Sequence, residues 1–222
     1  MEGSIDLVVE NIRLLLKMIK DPDDRLSVIE SSSEILLKYG YESMINKLAE
    51  EISDDQKDEF NKRIAVIAAR VGNLEVFKRA FNAVSEGDKL EVLAEVVAET
   101  KLEPKELIPI IRDFLATLKS VDYNDEDTCY NMAVVLSYIG DFTRSRGFTD
   151  SFCSLIKAKE FDLMREFFEV MDEIKCAYLR MCIGDKSYGI KLLRKIVSRM
   201  KNLDEARKVS LVMQACDVAS RY

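Results

Sequence analysis

Histidine and tryptophan are both absent from this 222-residue chain, and proline and glycine occur only three and eight times. Without histidine there is no Ser-His-Asp or Cys-His arrangement, no two-histidine zinc site and no Glu-x-x-His di-metal bundle. No pair of cysteines is spaced as Cys-x-x-Cys, which argues against a structural zinc or a redox dithiol. The five cysteines, Cys129, Cys153, Cys176, Cys182 and Cys216, are odd in number and sit in apolar helical stretches. They read as reduced core thiols rather than as the framework of a small secreted domain.

Long apolar runs are missing too: Leu14-Leu15-Leu16 is flanked by Arg13 and Lys17, and no basic segment followed by an apolar run opens the chain. A soluble, cytoplasmic protein is the expectation. A phosphate loop is suggested by Gly184-Asp185-Lys186-Ser187, but the upstream glycine and the preceding strand are lacking. A calcium loop starting at Asp122, Asn124 and Glu126 fails, because Asp127 holds the glycine position and Ala133 the closing acidic one. No catalytic residue, no metal and no cofactor is therefore assigned from the sequence.

What the chain does have is helical periodicity. Phe60, Ile64, Ile67, Ala68 and Val71 recur at three and four residues, as do Leu74, Phe77, Phe81 and Val84, then Leu90, Leu93, Ala94 and Val97. Each set is one apolar stripe of an α-helix and needs a neighbour to cover it. With 48% hydrophobic and 33% charged residues the chain can bury a sizeable core, and its Glu, Lys and Arg content suits a thermophile.

The spacing predicts helices over Ile5–Lys20, then to Tyr39-Gly40, Tyr41–Ile52, Asp55–Val71 with Ser53-Asp54-Asp55 offering capping side chains, Leu74–Val84, Lys89–Lys101 and Lys105–Leu118. Pro109 is expected to kink the last of these. A helix beginning at Tyr123-Asn124-Asp125 runs to Gly140. The stretch 141–147 reads as a short helical turn or a loop before a helix over Phe148–Lys157. Phe161–Ile174 and Cys176–Ile183 read as one bent helix or two, followed by Tyr188–Met200 and Asp204–Tyr222. The expected hairpins pair the two helices on either side of Gly40, the two on either side of Gly72, and Lys89–Lys101 with Lys105–Leu118.

Two markers recur along the chain. Glycines closing a helix fall at Gly40, Gly72, Gly140 and Gly184, with intervals of 32, 68 and 44, and acidic helix starts fall at Asp24, Asp55, Asp88 and Asp125, with intervals of 31, 33 and 37. A helix-pair period in the low to middle thirties is that of stacked repeats. In Ala69-Arg70-Val71-Gly72-Asn73-Leu74-Glu75 and Tyr138-Ile139-Gly140-Asp141-Phe142 the chain resembles the tetratricopeptide-like superhelical families, with HEAT-like pairs as the alternative. The resemblance implies an all-α stack of antiparallel helical hairpins, an α-solenoid of about 11–13 helices. It would form one domain over 1–222, with a cap helix at 1–22 and a break into two lobes near 141–148, binding another macromolecule.

Charge supplies the functional clue. Residues 1–174 hold 22 basic against 36 acidic residues, a net −14, whereas 175–222 hold 11 against 4, a net +7. Lys191, Arg194, Lys195 and Arg199 form a basic stripe on one helix, joined in sequence by Lys201, Arg207 and Lys208. A non-catalytic protein-interaction scaffold using this stripe is the first reading. Nucleic-acid binding through phosphates and a histidine-independent enzyme with a site in a helical groove are the alternatives, and a simple solvated face stands against all three. The opposite charge of the two ends also suggests salt-sensitive head-to-tail self-association. Glu91, Glu95 and Glu99, at four-residue steps, read as a solvated helix face rather than as a docking or metal surface.

Overall fold

The computed structural model describes residues 2–118, 120–158, 166–199 and 205–220, with side chains throughout except at 2–6, 166–169, 199 and 217–220. Twelve α-helices and no strand are found among them. In order these are α1 (Glu2–Leu16), α2 (Pro22–Lys38), α3 (Glu42–Ala49), α4 (Lys57–Val71), α5 (Leu74–Ala83), α6 (Lys89–Glu99), α7 (Pro104–Thr117), α8 (Glu126–Tyr138), α9 (Phe142–Ala158), α10 (Glu166–Cys182), α11 (Lys186–Arg199) and α12 (Glu205–Ser220). The protein is all-α, as its periodicity predicts, and the chain divides into two compact units, Met1–Asp113 and Phe114–Tyr222.

In the first unit α4 is the central helix. Ala65 to Ala69 are buried without interruption, because α4 is covered by α2, α5 and α6. The α4–α5 hairpin turns at Gly72, whose φ of 85° is in the left-handed region that a side chain disfavours. The Asn73 amide then donates to the Ala68 carbonyl at 2.8 Å, and the Asn73 side chain accepts from the Val76 amide to start α5. The same closure occurs at the other three marked glycines: Tyr41 donates to Leu36, Asp141 to Leu136 and Asp185 to Arg180. Glycines spaced in the sequence thus mark one recurring way of ending a helix and satisfying its last carbonyls.

Several expectations are corrected in this unit. α6 lies chiefly on α4, and its contact with α7, the expected hairpin partner, is slight. The connection explains this: the Lys101 amide donates to the Ala69 carbonyl at 2.9 Å and Leu102 is buried, so the segment between the two helices is tied to the end of α4. Ser53 caps no backbone amide; its hydroxyl bonds the Gln56 side chain, and a 3-10 turn over Asp54–Gln56 leads into α4. Asp21 caps α2, with Pro22 in the first-turn position that needs no N–H. α7 contains Pro109 within its length.

The second unit is built on α10, which packs against α8, α9, α11 and α12. Val170, Ile174, Met181, Ile196 and Leu211 form its buried cluster. The stretch 141–147, expected as a short helical turn or a loop separate from the helix at Phe148, is continuous with it: α9 starts at Phe142, with Gly147 inside the helix and nothing within 4 Å of where its Cβ would lie. A second correction concerns the thiols: Cys153 of α9 and Cys176 of α10 form a disulfide, with Cα atoms 5.6 Å apart, and Cys129, Cys182 and Cys216 are free. Of the two alternatives for Phe161–Ile174 and Cys176–Ile183, one bent helix or two, the structure from Glu166 onward has one helix. Phe161 to Arg165, Met200, Asp204 and Arg221-Tyr222, expected as helix, lie outside the described residues.

Candidate interaction surfaces

The basic stripe predicted from the sequence is carried mainly by α11. Leu192, Leu193 and Ile196 turn toward the cluster around α10, which leaves Lys191, Arg194 and Lys195 exposed on the other side. Gly189 sets the approach of the two helices: a Cβ there would lie 2.5 Å from Met181 Cγ and 2.9 Å from the Ala177 carbonyl oxygen. Only a residue without a side chain allows α11 to pack this closely on α10. None of Lys191, Arg194 and Lys195 has an ion-pair partner among the described residues. Ile190 and Val197, two turns apart, are also exposed, at 46% and 56%, so the outward face mixes cations with aliphatic groups.

The remaining members of the stripe divide. Arg207 is exposed on α12, and Lys208 is held 3.0 Å from Glu205 one turn earlier. The backbone of Arg199 ends α11, but its side chain and the whole of Lys201 lie outside the described residues. The structure therefore brings Lys191, Arg194 and Lys195 together on one helix.

In the first unit a group of cations on α4 is arranged differently. A groove across α2, α4 and α6 is lined by Glu30, Lys62, Arg63, Arg70, Glu91 and Glu95, among others, with a volume of about 90 Å³. Arg63 bonds Glu59 and Glu30 at 2.9 Å each, linking α4 to α2. Lys62 lies 3.4 Å from Asp88 and 4.0 Å from Glu91, and Arg70 Nε lies 3.0 Å from Glu99 Oε2, linking α4 to α6. Hydrogen bonding from Arg63 holds the Glu59 carboxyl below its ordinary pKa. Glu95 behaves oppositely: burial of its carboxyl among the groove walls is the largest cause raising its pKa, with Arg70 opposing and Glu99, Glu91 and Glu30 adding to the rise.

The Glu91-Glu95-Glu99 row, read from the sequence as a solvated face, is thus one wall of an interhelical ladder. Sequence reasoning missed it because the matching cations belong to another helix. The usable signal was the spacing of Arg63 and Arg70, two turns apart on α4. Among the described residues no group of three or more His, Cys, Asp or Glu side chains is placed to hold a metal ion, and no described helix is long and apolar enough to cross a membrane.

Compared with protein-family models, with curated proteins and with solved structures, the chain has no match.

Proposed function

We propose that this chain is a non-catalytic helical-repeat scaffold, of the tetratricopeptide-like or HEAT-like kind, that binds an acidic protein partner through the outward face of α11. The observation that carries this reading is the clustering of three exposed cations on one face of α11, in contrast to the paired cations of α4. Arg13, Lys62, Arg63 and Arg70 each face a carboxylate of the protein itself, whereas Lys191, Arg194 and Lys195 are exposed with no such partner among the described residues. Positive charge left uncompensated on a chain of net charge −7 attracts acidic groups from outside and speeds their encounter. The aliphatic Ile190 and Val197 beside it favour a polypeptide over a phosphate backbone, since they offer contact area to side chains. The recurring glycine closure supports the repeat assignment. A thermophilic, intracellular setting reconciles the Cys153–Cys176 bond with a cytoplasmic location, because intracellular proteins of hyperthermophiles are often disulfide-rich.

Fluorescence anisotropy tests the reading, using labelled polyglutamate and a labelled single-stranded oligonucleotide at low salt. The wild type binds the peptide in a salt-sensitive manner, and Lys191→Glu/Arg194→Glu/Lys195→Glu weakens it by roughly tenfold or more. Peptide binding that is absent in the wild type, or unchanged in the triple variant, contradicts the proposal. Binding confined to the oligonucleotide would transfer the surface to nucleic acid.

A further inference from the structure

The second unit has a groove of about 450 Å³ among α8, α10 and α12, a size at which small molecules bind. Met171, Ile174, Lys175 and Tyr178 form its α10 wall, at three- and four-residue steps and so along one line of the helix. That line runs for about 10 Å at the helical rise per residue. Tyr130 of α8 and Met213 and Gln214 of α12 complete the lining. Ile174 belongs to the buried cluster of this unit, with Met171 and Tyr178 packed against it, so the floor of the groove is part of the core. The Tyr130 ring rests against Phe152 of α9, with 5.6 Å between ring centres.

Lys175 and Gln214 interrupt this apolar and aromatic lining, and neither side chain is hydrogen-bonded to the protein among the described residues. Lys175 is the one charged residue among those that line the groove. Its Nζ lies 5.4 Å from the centre of the Tyr130 ring and 3.7 Å from Asp172, beyond hydrogen-bond distance. The ring face attracts the positive charge without accepting its N–H groups as a carboxylate would. An ammonium and a primary amide thus offer donors beside an apolar surface.

These two kinds of contact define what fits. A carboxylate accepts from a cation and an amide together, and charge-assisted hydrogen bonds of this kind are the strong ones. One cation suits a single negative charge better than the nearly double charge of a phosphate monoester. For the rest of the ligand, two tyrosine rings and two methionine thioethers favour an aromatic body over a plain chain, since rings pack well on rings and sulfur at ring edges. The length of the α10 wall limits that body to one or two rings.

We infer that this groove binds a small aromatic carboxylic acid, its ring lying against Tyr130, Tyr178, Met171 and Met213 and its carboxylate accepting from Lys175 and Gln214. No residue of α11 lines the groove, and the inference does not rest on the partner proposed for that face.

Isothermal titration calorimetry tests it with the full chain, using benzoate, naphthoate and indole acetate as probes and octanoate and the neutral naphthalenemethanol as comparisons. At least one aromatic acid binds saturably, at one site per chain, and more tightly than octanoate or naphthalenemethanol. Lys175→Met keeps an apolar stem and removes the charge; it weakens the acid by roughly tenfold or more and leaves naphthalenemethanol unchanged. Gln214→Glu sets a like charge beside the carboxylate and weakens the acid in the same way. Lys191→Glu/Arg194→Glu/Lys195→Glu binds the acid as the wild type does, and circular dichroism shows all three variants to be helical. Absence of saturable binding by every acid, equal or tighter binding of octanoate or naphthalenemethanol, or acid binding unchanged in Lys175→Met overturns the inference. Loss of acid binding in the α11 variant overturns it too, by placing the anion on that face instead.

Discussion

Arg70 Nε of α4 lies 3.0 Å from Glu99 Oε2 of α6, and Glu95, one turn earlier on α6, feels the charge of the same cation. The two carboxylates therefore have different consequences. The Arg70–Glu99 pair is 35% and 49% exposed, so Glu99→Gln costs less than about 1 kcal/mol. Glu95 has its pKa raised above the ordinary 4.5 by burial. Folding favours its neutral form, so its contribution is present below the unfolded-state pKa and is lost as pH rises through the folded value. Chemical denaturation should show Glu95→Gln to be more stable than the wild type at neutral pH, the gap closing toward about pH 4.

Gly147 lies within α9 with open space around it. Gly147→Ala is expected to stabilise the protein by about 0.5–1 kcal/mol, because alanine restricts the unfolded chain and fits the helix without a clash. Thermal unfolding measures this directly. A destabilised variant would show that residues 141–147 are not part of a continuous helix.

Two buried serines separate a satisfied hydroxyl from an unsatisfied one. Ser145 Oγ of α9 donates to the Ala133 carbonyl of α8 at 2.8 Å, whereas buried Ser33 Oγ of α2 has no hydrogen-bond partner among the described residues. Ser145→Ala should destabilise by about 1 kcal/mol, and Ser33→Ala should stabilise by a similar amount, because it removes a desolvated hydroxyl that gains nothing in return. Urea unfolding of the two variants side by side checks the sign of each.

The disulfide fixes a thiol count. Titration in denaturant without reductant should give three free thiols, Cys129, Cys182 and Cys216, and five after reduction. Cys153→Ser/Cys176→Ser should lower stability by roughly 2–4 kcal/mol, since the bond closes a loop with a sequence separation of 23 in the unfolded chain.

The features legible in the sequence are those set by local chemistry. Gly40, Gly72, Gly140 and Gly184 were readable as helix ends because a left-handed residue is needed there, and all four have positive φ. Phe60, Ile64, Ile67 and Ala68 were readable as core from their spacing, and all are buried. Gly147 was misread because glycine within an open helix face looks the same in sequence as glycine in a turn. The Arg70–Glu99 pair, the Cys153–Cys176 bond and the preference of α6 for α4 over α7 depend on which helices become neighbours. Spacing along one helix carries no information about that. For the basic stripe, periodicity placed Lys191, Arg194 and Lys195 on one exposed side, but their lack of carboxylate partners is a property of the packed helices.

Lysine footprinting by mass spectrometry, with and without polyglutamate, tests most directly whether the open positive charge resides on α11. Lys191 and Lys195 should be modified rapidly in the free protein and be protected by the peptide. Lys62, whose side chain is 23% exposed and faces Glu59, Asp88 and Glu91, should react slowly and be unaffected. Slow modification of Lys191 and Lys195, or protection that falls elsewhere and leaves them unchanged, would contradict the assignment of α11 as the binding face.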